Sequence, residues 1–232
     1  MKFHQPLICG TLIKRYKRFL ADVKLSNGQI VTAHCANPGA MIGLTSQGAE
    51  VWLSPAQNPA RKLRWSWELI RVEKSLVGIN TALPNTIAAE AISDGLIPEL
   101  SGYDSLRREV KYGTSSRIDI LLEKNNEDKC YVEIKNVHLK RTKSAEFPDS
   151  VTVRGTKHLK ELSDMVKQGH RAIMFYLVQR EDCSTFKIAE DIDPIYKNAF
   201  VEARKNGVEC FCYSCHLSTK EIVINKKIRI IA

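Results

Sequence analysis

The sequence predicts an α+β protein in which a small β-barrel precedes an α/β domain with a central mixed sheet. Short β-type runs separated by turns fill the first 80 residues, a pattern typical of a small Greek-key barrel. In the rest of the chain, apolar strand-like runs alternate with segments of helical periodicity. The strand pattern is interrupted near residues 80–85, so we divide the chain into domains 1–82 and 83–232.

Five or six short strands are expected in the barrel. Asn27-Gly28 between two β-type runs predicts a tight hairpin, because both residues tolerate the positive φ angles of such a turn. Asn37-Pro38-Gly39 predicts a second turn. The expected strands cover residues 7–13, 19–25, 29–35, 50–55, 65–72 and 76–80.

Positive charge is concentrated in this predicted barrel. Residues 1–80 hold 11 Lys and Arg against 4 Asp and Glu, whereas residues 81–232 hold 24 against 22, and all three tryptophans lie in the first part. Cations displace counterions from a nucleic-acid backbone and aromatic rings stack on bases, so the distribution favours a nucleic-acid-binding surface. The alternative is a basic surface that serves only solubility.

Two clusters of basic residues carry the candidate contacts in the barrel. The first surrounds Tyr16, where the lysines would otherwise form a solvated strand edge that discourages aggregation. The second leads into two tryptophans that share one strand face, where they either stack on bases or belong to the core. The candidate DNA-binding residues of the barrel are Lys14, Arg15, Lys17, Arg18, Arg61, Lys62, Arg64, Trp65 and Trp67.

Helical periodicity predicts three helices in the second part of the chain, near residues 86–95, 151–169 and 193–207. Asn85 is expected to cap the first of these helices. Asp149 is expected to cap the second, with membership of a functional site as the alternative.

The strands of the second part are expected around these helices. A continuous apolar run at residues 171–179 predicts a strand buried on both faces, which would form a β–α–β unit with the strand before the second helix. Two further strands are expected at 208–215 and 221–231. The basic segment 138–150 is expected to be a mobile loop.

A β-hairpin with three charged side chains is predicted within residues 111–139. Two apolar runs flank a polar turn at residues 123–129. Asp119 lies in the first run, and Glu133 and Lys135 lie in the second, where a spacing of two puts them on one face. If the strands pair as expected, the carboxylates can hold a divalent cation and the lysine can orient a water or stabilise charge on a phosphate. The alternative is a buried ion pair in a sheet.

Several longer stretches resemble one protein family, in the same order along the chain. They are RYKRFLADV, HCANPGAM, NTALPN, EVKYGTSSRID, YVEIKNV and FPDSVTVRGTKHLKEL, spread from Arg15 to Leu162. In these stretches the chain resembles the sugar fermentation stimulation protein A family of bacteria and archaea, and its hairpin resembles the core of the PD-(D/E)xK nuclease superfamily. The resemblance implies an N-terminal oligonucleotide-binding (OB) type β-barrel and a C-terminal PD-(D/E)xK nuclease-like α/β domain.

Further site residues follow from this resemblance. Nucleases of the superfamily often place an additional metal-binding glutamate on the helix before the hairpin, and Glu90 matches that place, although its spacing alone is typical of a solvated glutamate. Arg154 and His158 share one side of the second helix within a family-matching segment, which makes them candidate phosphate contacts. Arg117 stands among the cations just before Asp119, which either neutralise phosphates or balance local acids.

The composition argues against a membrane protein and against two cofactors. No apolar run approaches the roughly 20 residues that cross a bilayer, and the N-terminus lacks the features of a signal peptide, so we expect a cytoplasmic protein with reduced thiols. Cys212-Tyr213-Ser214-Cys215-His216 fits the haem c attachment pattern, but such attachment normally requires export. One straight strand cannot direct the sulfurs of Cys210, Cys212 and Cys215 at one zinc ion. We therefore expect neither haem nor zinc.

Two functions remain from the sequence. The first is a DNA-binding protein without sequence preference, as described for the resembling family, which is linked to regulation of sugar, notably maltose, metabolism. The second is a DNA nuclease in which Asp119 and Glu133 bind Mg²⁺ or Mn²⁺ and Lys135 assists hydrolysis. Charge and aromatic residues do not distinguish DNA from RNA. No helix-turn-helix pattern is recognisable, which disfavours a sequence-specific repressor.

Overall fold

The computed structural model describes residues 1–58, 60–113, 116–125 and 128–231. Its N-terminal part is a β-barrel, and the strands are β1 (Ile8–Tyr16), β2 (Leu20–Leu25), β3 (Ile30–His34), β4 (Glu50–Pro55), β5 (Trp65–Val72) and β6 (Ser75–Gly78). The strand order is β3-β2-β1-β4-β5-β6, and a parallel pairing of β3 with β5 closes five strands into a barrel. The predicted OB-type barrel is confirmed.

Alternating side chains of these strands fill the barrel. In β2, Ala21, Val23 and Leu25 are buried while the residues between them are more exposed, as the two-residue period of a strand requires. Gly28 has a φ of 84° in the β2–β3 turn, a conformation that glycine adopts without steric cost. Trp67 is fully buried in this core and donates its indole N–H to the Leu69 carbonyl oxygen at 2.9 Å.

A six-stranded mixed sheet and a second, four-stranded sheet form the rest of the molecule. The strands of the larger sheet are β7 (Ser105–Tyr112), β8 (Ser116–Lys124), β9 (Asp128–Val137), β12 (Arg171–Val178), β14 (Glu209–Leu217) and β15 (Ile222–Lys227). Those of the smaller sheet are β10 (Leu139–Lys140), β11 (Ser144–Phe147), β13 (Thr185–Ile188) and β16 (Arg229–Ile230). The helices are α1 (Pro84–Ser93), α2 (Val153–Lys167) and α3 (Pro194–Lys205), with a 3-10 helix at Pro98–Leu100.

The larger sheet has the order β15-β14-β12-β9-β8-β7. β12 runs parallel to β9 and β14, and the other neighbours are antiparallel, so the predicted mixed sheet and the β9–α2–β12 unit are confirmed. β8 and β9 form the predicted hairpin. Asn126 and Glu127 of its predicted turn lie outside the described residues.

Segment 138–150 is ordered as strands rather than as the expected mobile loop. β11 lies parallel to β13, and β10 pairs with β11. The Glu146 carboxylate is almost completely buried there and pairs with Arg141, which also binds Asp191 at 2.5 Å. Basic side chains of this segment therefore form ion pairs with a buried carboxylate, and the charge pattern of the sequence alone does not predict these pairs.

Helices cover both faces of the larger sheet. On β9, Cys130, Val132 and Ile134 pack in the core that contains α1, whereas Tyr131 and Val137 pack in the core that contains α2 and α3. Alternation along the strand therefore directs residue 133 towards α2. None of the helices in the described ranges combines the length and apolar character needed to span a membrane.

The barrel contacts the α/β part directly. The Met41 backbone N–H donates to Asp149 Oδ2 at 2.9 Å, and the Gly78 N–H donates to the Gln179 carbonyl oxygen at 2.9 Å. The loop after β3 and the edge strand β6 thus lie against the segment before α2 and the end of β12. These contacts bring the barrel close to the strand that carries Glu133.

Candidate metal centre and nucleic-acid interface

The hairpin of β8 and β9 brings Asp119 and Glu133 together. Its antiparallel register pairs Ile120 with Val132, so the two carboxylate residues occupy the next opposed positions along the strands. Burial and, next, the charge of Glu133 raise the pKa of Asp119 to about 6. Two carboxyl groups therefore share one partly desolvated place, where each disfavours ionisation of the other.

The Asp119 carboxylate is held by two donors. The Ile134 backbone N–H donates to its Oδ2 at 2.7 Å, and the Asn85 side-chain amide donates to its Oδ1 at 2.8 Å. Asn85 was expected to cap α1, but that helix begins at Pro84 with Leu83 at the cap position and has no side-chain cap. Proline at the first helical position needs no partner for a backbone N–H, so the Asn85 side chain can instead reach Asp119.

The two oxygens of Glu133 have different surroundings. Oε1 accepts a hydrogen bond from Lys135 Nζ at 2.6 Å and contacts His158 Nδ1. Oε2 is buried and has no hydrogen-bond partner among the described residues. Burial raises the pKa of Glu133, but the Lys135 charge and the His158 contact outweigh it, so the pKa lies below its ordinary value. Glu133 is thus kept ionised, with one oxygen free.

His158 and Arg154 complete one side of the centre. The helix α2 starts after Thr152, whose side chain accepts a hydrogen bond from the Gly155 N–H at 3.1 Å. One turn later, His158 is buried, with Nδ1 lying 3.2 Å from Lys135 Nζ and Nε2 lying 3.3 Å from Arg154 Nε. The structure therefore joins the hairpin to both predicted α2 residues.

Asp149 does not cap α2, as had been expected, because Thr152 occupies that position. Its Oδ2 instead accepts from the Met41 N–H and lies 3.2 Å from His138 Nε2. Burial raises the pKa of Asp149, but the contacts with His138, together with the Met41 N–H, lower it overall. The residue links the barrel to the strand-and-helix unit around the centre.

A divalent cation fits this arrangement. Asp119 and Glu133 bring two carboxylates together, and one buried Glu133 oxygen has no hydrogen-bond partner in the described part of the chain. Oxygen-preferring cations bind such pairs and offset their repulsion. Within the described ranges no group of three or more His, Cys, Asp or Glu is arranged to hold a metal ion. Asp119 and Glu133 would therefore hold the ion, with water or phosphate completing its shell.

Glu90 is not part of this pair. Its Oε2 lies 2.7 Å from the amino-terminal nitrogen of Met1, and its side chain is half-exposed. It lines a separate cavity of about 520 Å³ together with Ser54, Arg61 and Glu68. The prediction of Glu90 as a metal ligand beside Asp119 is corrected, because the helix turns this side chain away towards the N-terminal segment.

Two residues of the centre escaped the sequence reasoning. Tyr112 ends β7, and its hydroxyl is buried without a partner among the described residues. Glu161 lies on α2 three residues after His158, and both of its oxygens are buried without a hydrogen bond. Two features of the sequence could have indicated Glu161: its spacing of three from His158 and its position inside a stretch that resembles the family. No local feature of the sequence predicts a functional role for Tyr112.

The first basic cluster of the barrel is divided between exposed and engaged side chains. Lys14 is largely exposed and its Nζ lies 5.2 Å from the centre of the Tyr16 ring. Lys17 and Arg18 are exposed in the β1–β2 turn, with φ angles of 47° and 62°. Arg15 donates to carbonyl oxygens of the loop after β3, at 2.9 Å and 3.0 Å, and Arg18 donates to the Pro38 carbonyl oxygen of the same loop at 2.6 Å. Both guanidinium groups therefore support that loop.

The second basic cluster offers less aromatic surface than expected. Trp67 is wholly buried in the barrel core, so its predicted stacking on bases is wrong. Trp65 is half-buried, and Arg61 donates to Ser66 Oγ at 3.0 Å. Exposed cations in this cluster are Lys62 and Arg64, and Arg117 is exposed on β8.

A cleft of about 310 Å³ runs between the barrel and the α/β part. Arg18 lines it from the barrel, and Asn136, His138 and Thr152 line it from the other side. Asn136 follows Lys135 directly on β9. The cleft therefore connects the exposed basic turn of the barrel with the strand that carries the candidate centre.

The cysteines of the haem-like pattern lie in separate environments. Cys212 packs in the core on the α2 side of the sheet, whereas Cys215 packs in the core on the α1 side. Burial raises the pKa of both thiols. Buried thiols of this kind pack as small apolar side chains.

A closed OB-type barrel followed by an α/β part with mixed sheets defines the class of this protein. The family model described as "Sugar fermentation stimulation protein RE domain" matches residues 82–221, and the model described as "SfsA N-terminal OB domain" matches residues 13–79. The chain belongs to the sugar fermentation stimulation protein family.

Relatives match over nearly the whole chain. A sugar fermentation stimulation protein homolog of Paramagnetospirillum magneticum is 62% identical over 94% of this chain and 92% of its own. A homolog of Rhodospirillum centenum is 55% identical over the full length of both. The solved structure of Pyrococcus furiosus SfsA in complex with Ca²⁺ is 27% identical, with a TM-score of 0.90 over 100% of this chain and 98% of its own.

Proposed function

We propose that this protein binds DNA without sequence preference and hydrolyses its phosphodiester bonds at the Asp119–Glu133 centre with Mg²⁺ or Mn²⁺. One observation carries the proposal: the half-buried Asp119 carboxylate faces the buried Glu133 carboxylate, one oxygen of which has no hydrogen-bond partner among the described residues and the other of which binds Lys135. A purely structural ion pair would not need the second carboxylate, which raises the electrostatic cost of burial.

Each residue of the centre has a distinct task in this proposal. A bound divalent cation supplies Lewis acidity and lowers the pKa of a bound water. Asp119 and the free oxygen of Glu133 bind that cation, and Asn85 and the Ile134 N–H fix the orientation of Asp119. Lys135 orients the attacking water or stabilises negative charge on the phosphate.

His158 is a positioning residue rather than an additional ligand. It contacts Glu133 Oε1 and Lys135 Nζ from α2, so it restricts both side chains at once. Arg154 contacts the other ring nitrogen of His158 and is exposed, so its guanidinium can also meet a phosphate.

The cleft between the barrel and the α/β part supports the DNA-binding half of the proposal. Lys14, Lys17 and Arg18 place exposed charge on the barrel, and Arg18 reaches into the cleft. Such cations bind backbone phosphates independently of sequence. A strand held there would lead from the basic turn towards Lys135. The link to sugar metabolism stays an expectation from the family, acting through this DNA binding.

Cleavage and binding assays with labelled single-stranded and double-stranded DNA test the proposal. Each is incubated with Mg²⁺, Mn²⁺ or EDTA and with wild-type protein, Asp119→Asn or Lys160→Ala. Lys160 is an exposed residue of α2 and serves as the matched control. We expect metal-dependent cleavage by the wild type and the control, and binding without cleavage by Asp119→Asn.

Two results would count against this function. Binding without cleavage under every metal condition would leave a DNA-binding regulator in which the centre is structural. No retention of DNA even at low salt would remove the DNA-binding half as well. The Ca²⁺ bound by the Pyrococcus furiosus relative makes Ca²⁺ a useful further ion in the series.

A further inference from the structure

A cavity of about 520 Å³ lies between the barrel and the start of α1. The end of β4, the loop that follows it and β5 line the cavity from the barrel, and Leu83, Thr86 and Glu90 line it from α1. Residues 1–5 form a further wall. Sites for small organic molecules have volumes of about 300–1,000 Å³, so the cavity is large enough for a ligand of the size of a nucleoside.

A buried carboxylate lies in the wall of this cavity. Glu68 lines it from β5 and is 5% exposed. Ser54 Oγ donates to Glu68 Oε1 at 2.6 Å, and Asn80 Nδ2 donates to Oε2 at 2.7 Å. A carboxylate has about four acceptor positions, so each oxygen of Glu68 can accept a further hydrogen bond.

The two hydrogen bonds of Glu68 do not require a negative charge. A glutamine could accept from Asn80 through its oxygen and donate to the Ser54 hydroxyl, which can serve as donor or acceptor. Burial outweighs both hydrogen bonds and the charge of Arg61, so the pKa of Glu68 is raised. The fold thus keeps an incompletely compensated carboxylate in the wall of a cavity, which indicates a ligand with hydrogen-bond donors.

Arg61 places donors near this acceptor. It lines the same cavity, and its Nη1 donates to Ser66 Oγ at 3.0 Å. Ser66 and Glu68 are two residues apart on β5, so they share one face of the strand. A guanidinium has five N–H donors, of which this contact uses one. One wall of the cavity therefore combines a carboxylate acceptor with guanidinium donors, and Phe3 and Leu83 add apolar surface.

We propose that this cavity binds a guanine base through Glu68 and Arg61. The Watson–Crick edge of guanine has two adjacent N–H donors beside one oxygen acceptor. Glu68 would accept from both donors with its two oxygens, and Arg61 would donate to guanine O6. The Watson–Crick edges of the other three DNA bases have one donor position each, so they cannot engage both carboxylate oxygens in this way.

The cavity adjoins the candidate metal centre through α1. Thr86 lines the cavity, and the residue before it, Asn85, donates to Asp119 Oδ1 at 2.8 Å. A base turned out of a bound DNA strand and the base of a free guanine nucleotide present the same edge to such a cavity. Recognition of guanine needs neither a metal ion nor cleavage, so this inference does not rest on the proposed function.

Isothermal titration calorimetry of the full chain in EDTA tests the inference with dGMP, dAMP, dCMP and dTMP. We expect dGMP to bind at least about 10-fold more tightly than the other three, because a good bidentate pair with a base discriminates by about that factor or more. Deoxyinosine monophosphate lacks the exocyclic amino group of guanine. It should therefore bind about 10-fold more weakly than dGMP.

Glu68→Gln keeps the shape of the side chain but replaces one acceptor oxygen by a donor. It should weaken dGMP binding at least about 10-fold and reduce the preference for guanine. Glu73→Gln is the matched control, because Glu73 is exposed between β5 and β6, and it should bind dGMP like the wild type. Thermal unfolding reports whether each variant is folded.

A second pair of variants keeps the test valid if Glu68→Gln folds poorly. Arg61→Ala and Lys74→Ala each remove one positive charge, but Lys74 is exposed between β5 and β6, whereas Arg61 lines the cavity. We expect Arg61→Ala to weaken dGMP binding at least about 10-fold and Lys74→Ala to leave it nearly unchanged.

Fluorescence anisotropy in EDTA with oligothymidine strands, with or without one central guanine, distinguishes the two sources of the base. Tighter binding of the strand with guanine, lost in Glu68→Gln, would assign the cavity to a base of DNA. Equal binding of both strands, with selective binding of dGMP, would assign it to a free nucleotide.

Two results would overturn the inference. In the first, the four nucleotides bind equally, or dGMP does not bind, and a guanine in the strand has no effect. In the second, Glu68→Gln and Arg61→Ala both bind guanine like the wild type. Neither result would alter metal-dependent cleavage at the Asp119–Glu133 centre, which is measured separately, so failure of this inference is distinguishable from failure of the proposed function.

Discussion

Asp119 and Glu133 lie at opposed strand positions but hold protons differently. Burial raises the pKa of each carboxyl group, but Glu133 accepts a hydrogen bond from Lys135 and contacts His158, whose lowering effects outweigh burial. At Asp119 the Ile134 N–H, the Lys135 charge and Asn85 also lower the pKa, but burial and the charge of Glu133 outweigh them, and the pKa rises to about 6. The last proton of the pair is therefore lost from Asp119, at about pH 6, and below that pH a cation would have to displace it.

Asp119→Asn should stabilise the metal-free protein above about pH 6. In the unfolded chain the pKa of Asp119 is about 4. Because the folded state binds the proton more tightly, protonation of Asp119 stabilises the fold at low pH, and this stabilisation is lost as the pH rises through about 6. Since asparagine has no charge to bury, the free energy of unfolding at about pH 8 should exceed that of the wild type by up to about 3 kcal/mol. Urea unfolding in EDTA from about pH 5 to 8 measures the difference.

Asp164→Asn is the matched control for this comparison, because Asp164 is exposed on α2 and pairs with the exposed Lys167. It should change stability little at any pH. Two results would contradict a raised pKa of Asp119. In the first, Asp119→Asn is less stable than the wild type at high pH. In the second, the difference in stability between the two proteins is the same at every pH.

The loop after β3 acts as an element that docks the barrel onto the segment before α2. Its Met41 N–H binds Asp149, and Arg15 holds its carbonyl oxygens from β1. Gly39 lies so close to Asp149 that a Cβ there would overlap the carboxylate. The absence of a side chain at residue 39 therefore permits the contact between the two parts.

Gly39→Ala should force this loop away from Asp149 and cost about 1–3 kcal/mol of stability. Denaturant unfolding of Gly39→Ala, Asp149→Ala and the double variant measures the effect as a cycle. Because the overlap disappears with the carboxylate, the alanine at residue 39 should cost much less in the double variant. Equal costs in both backgrounds would show that the overlap is not the cause.

Elements with a clear period were predictable, and those held by tertiary contacts were not. In the barrel strands and the β9–α2–β12 unit, apolar residues recur at a regular spacing because each element has one or two buried faces. β7 was missed because it is largely exposed and charged, with little apolar alternation. β10 and β11 were missed because β11 is held by its parallel pairing with β13, which lies far along the chain.

The same distinction applies within the candidate site. Asp119, Glu133 and Lys135 interrupt apolar strands, so the sequence marks them. Asn85 was assigned to a helix cap because its contact with Asp119 depends on how α1 packs against β8. Trp67 resembles a stacking residue in the sequence, and only the closure of the barrel shows that it is core.

At the scale of the whole molecule, the excess positive charge lies mainly in residues 1–80 and the carboxylate pair lies in the rest. Division of the chain at residues 82 and 83 remains a prediction. This distribution suits a barrel that holds a phosphate backbone while the second part acts on it. Electrostatic binding of that kind weakens steeply with salt.

Replacement of Lys14, Lys17 and Arg18 together by alanine should reduce the salt dependence of DNA binding. The slope of log K against log salt should fall by about 2–3, because each lost phosphate contact contributes about 0.7–0.9. Fluorescence anisotropy in EDTA over a salt series measures it. A matched triple variant of exposed cations on α3 and β15, Arg204, Lys205 and Lys226, should leave the slope nearly unchanged.

The cleavage rate of DNA that is already bound tests the central claim most directly. The complex is formed in EDTA with protein in excess, and Mn²⁺ is then added in excess to start a single turnover. We expect the wild type to cleave and Lys135→Ala to cleave at least about 100-fold more slowly at equal occupancy, because it lacks the ammonium beside the carboxylate pair. Equal rates in the two proteins, or no cleavage by the fully bound wild type, would contradict a catalytic role for the centre.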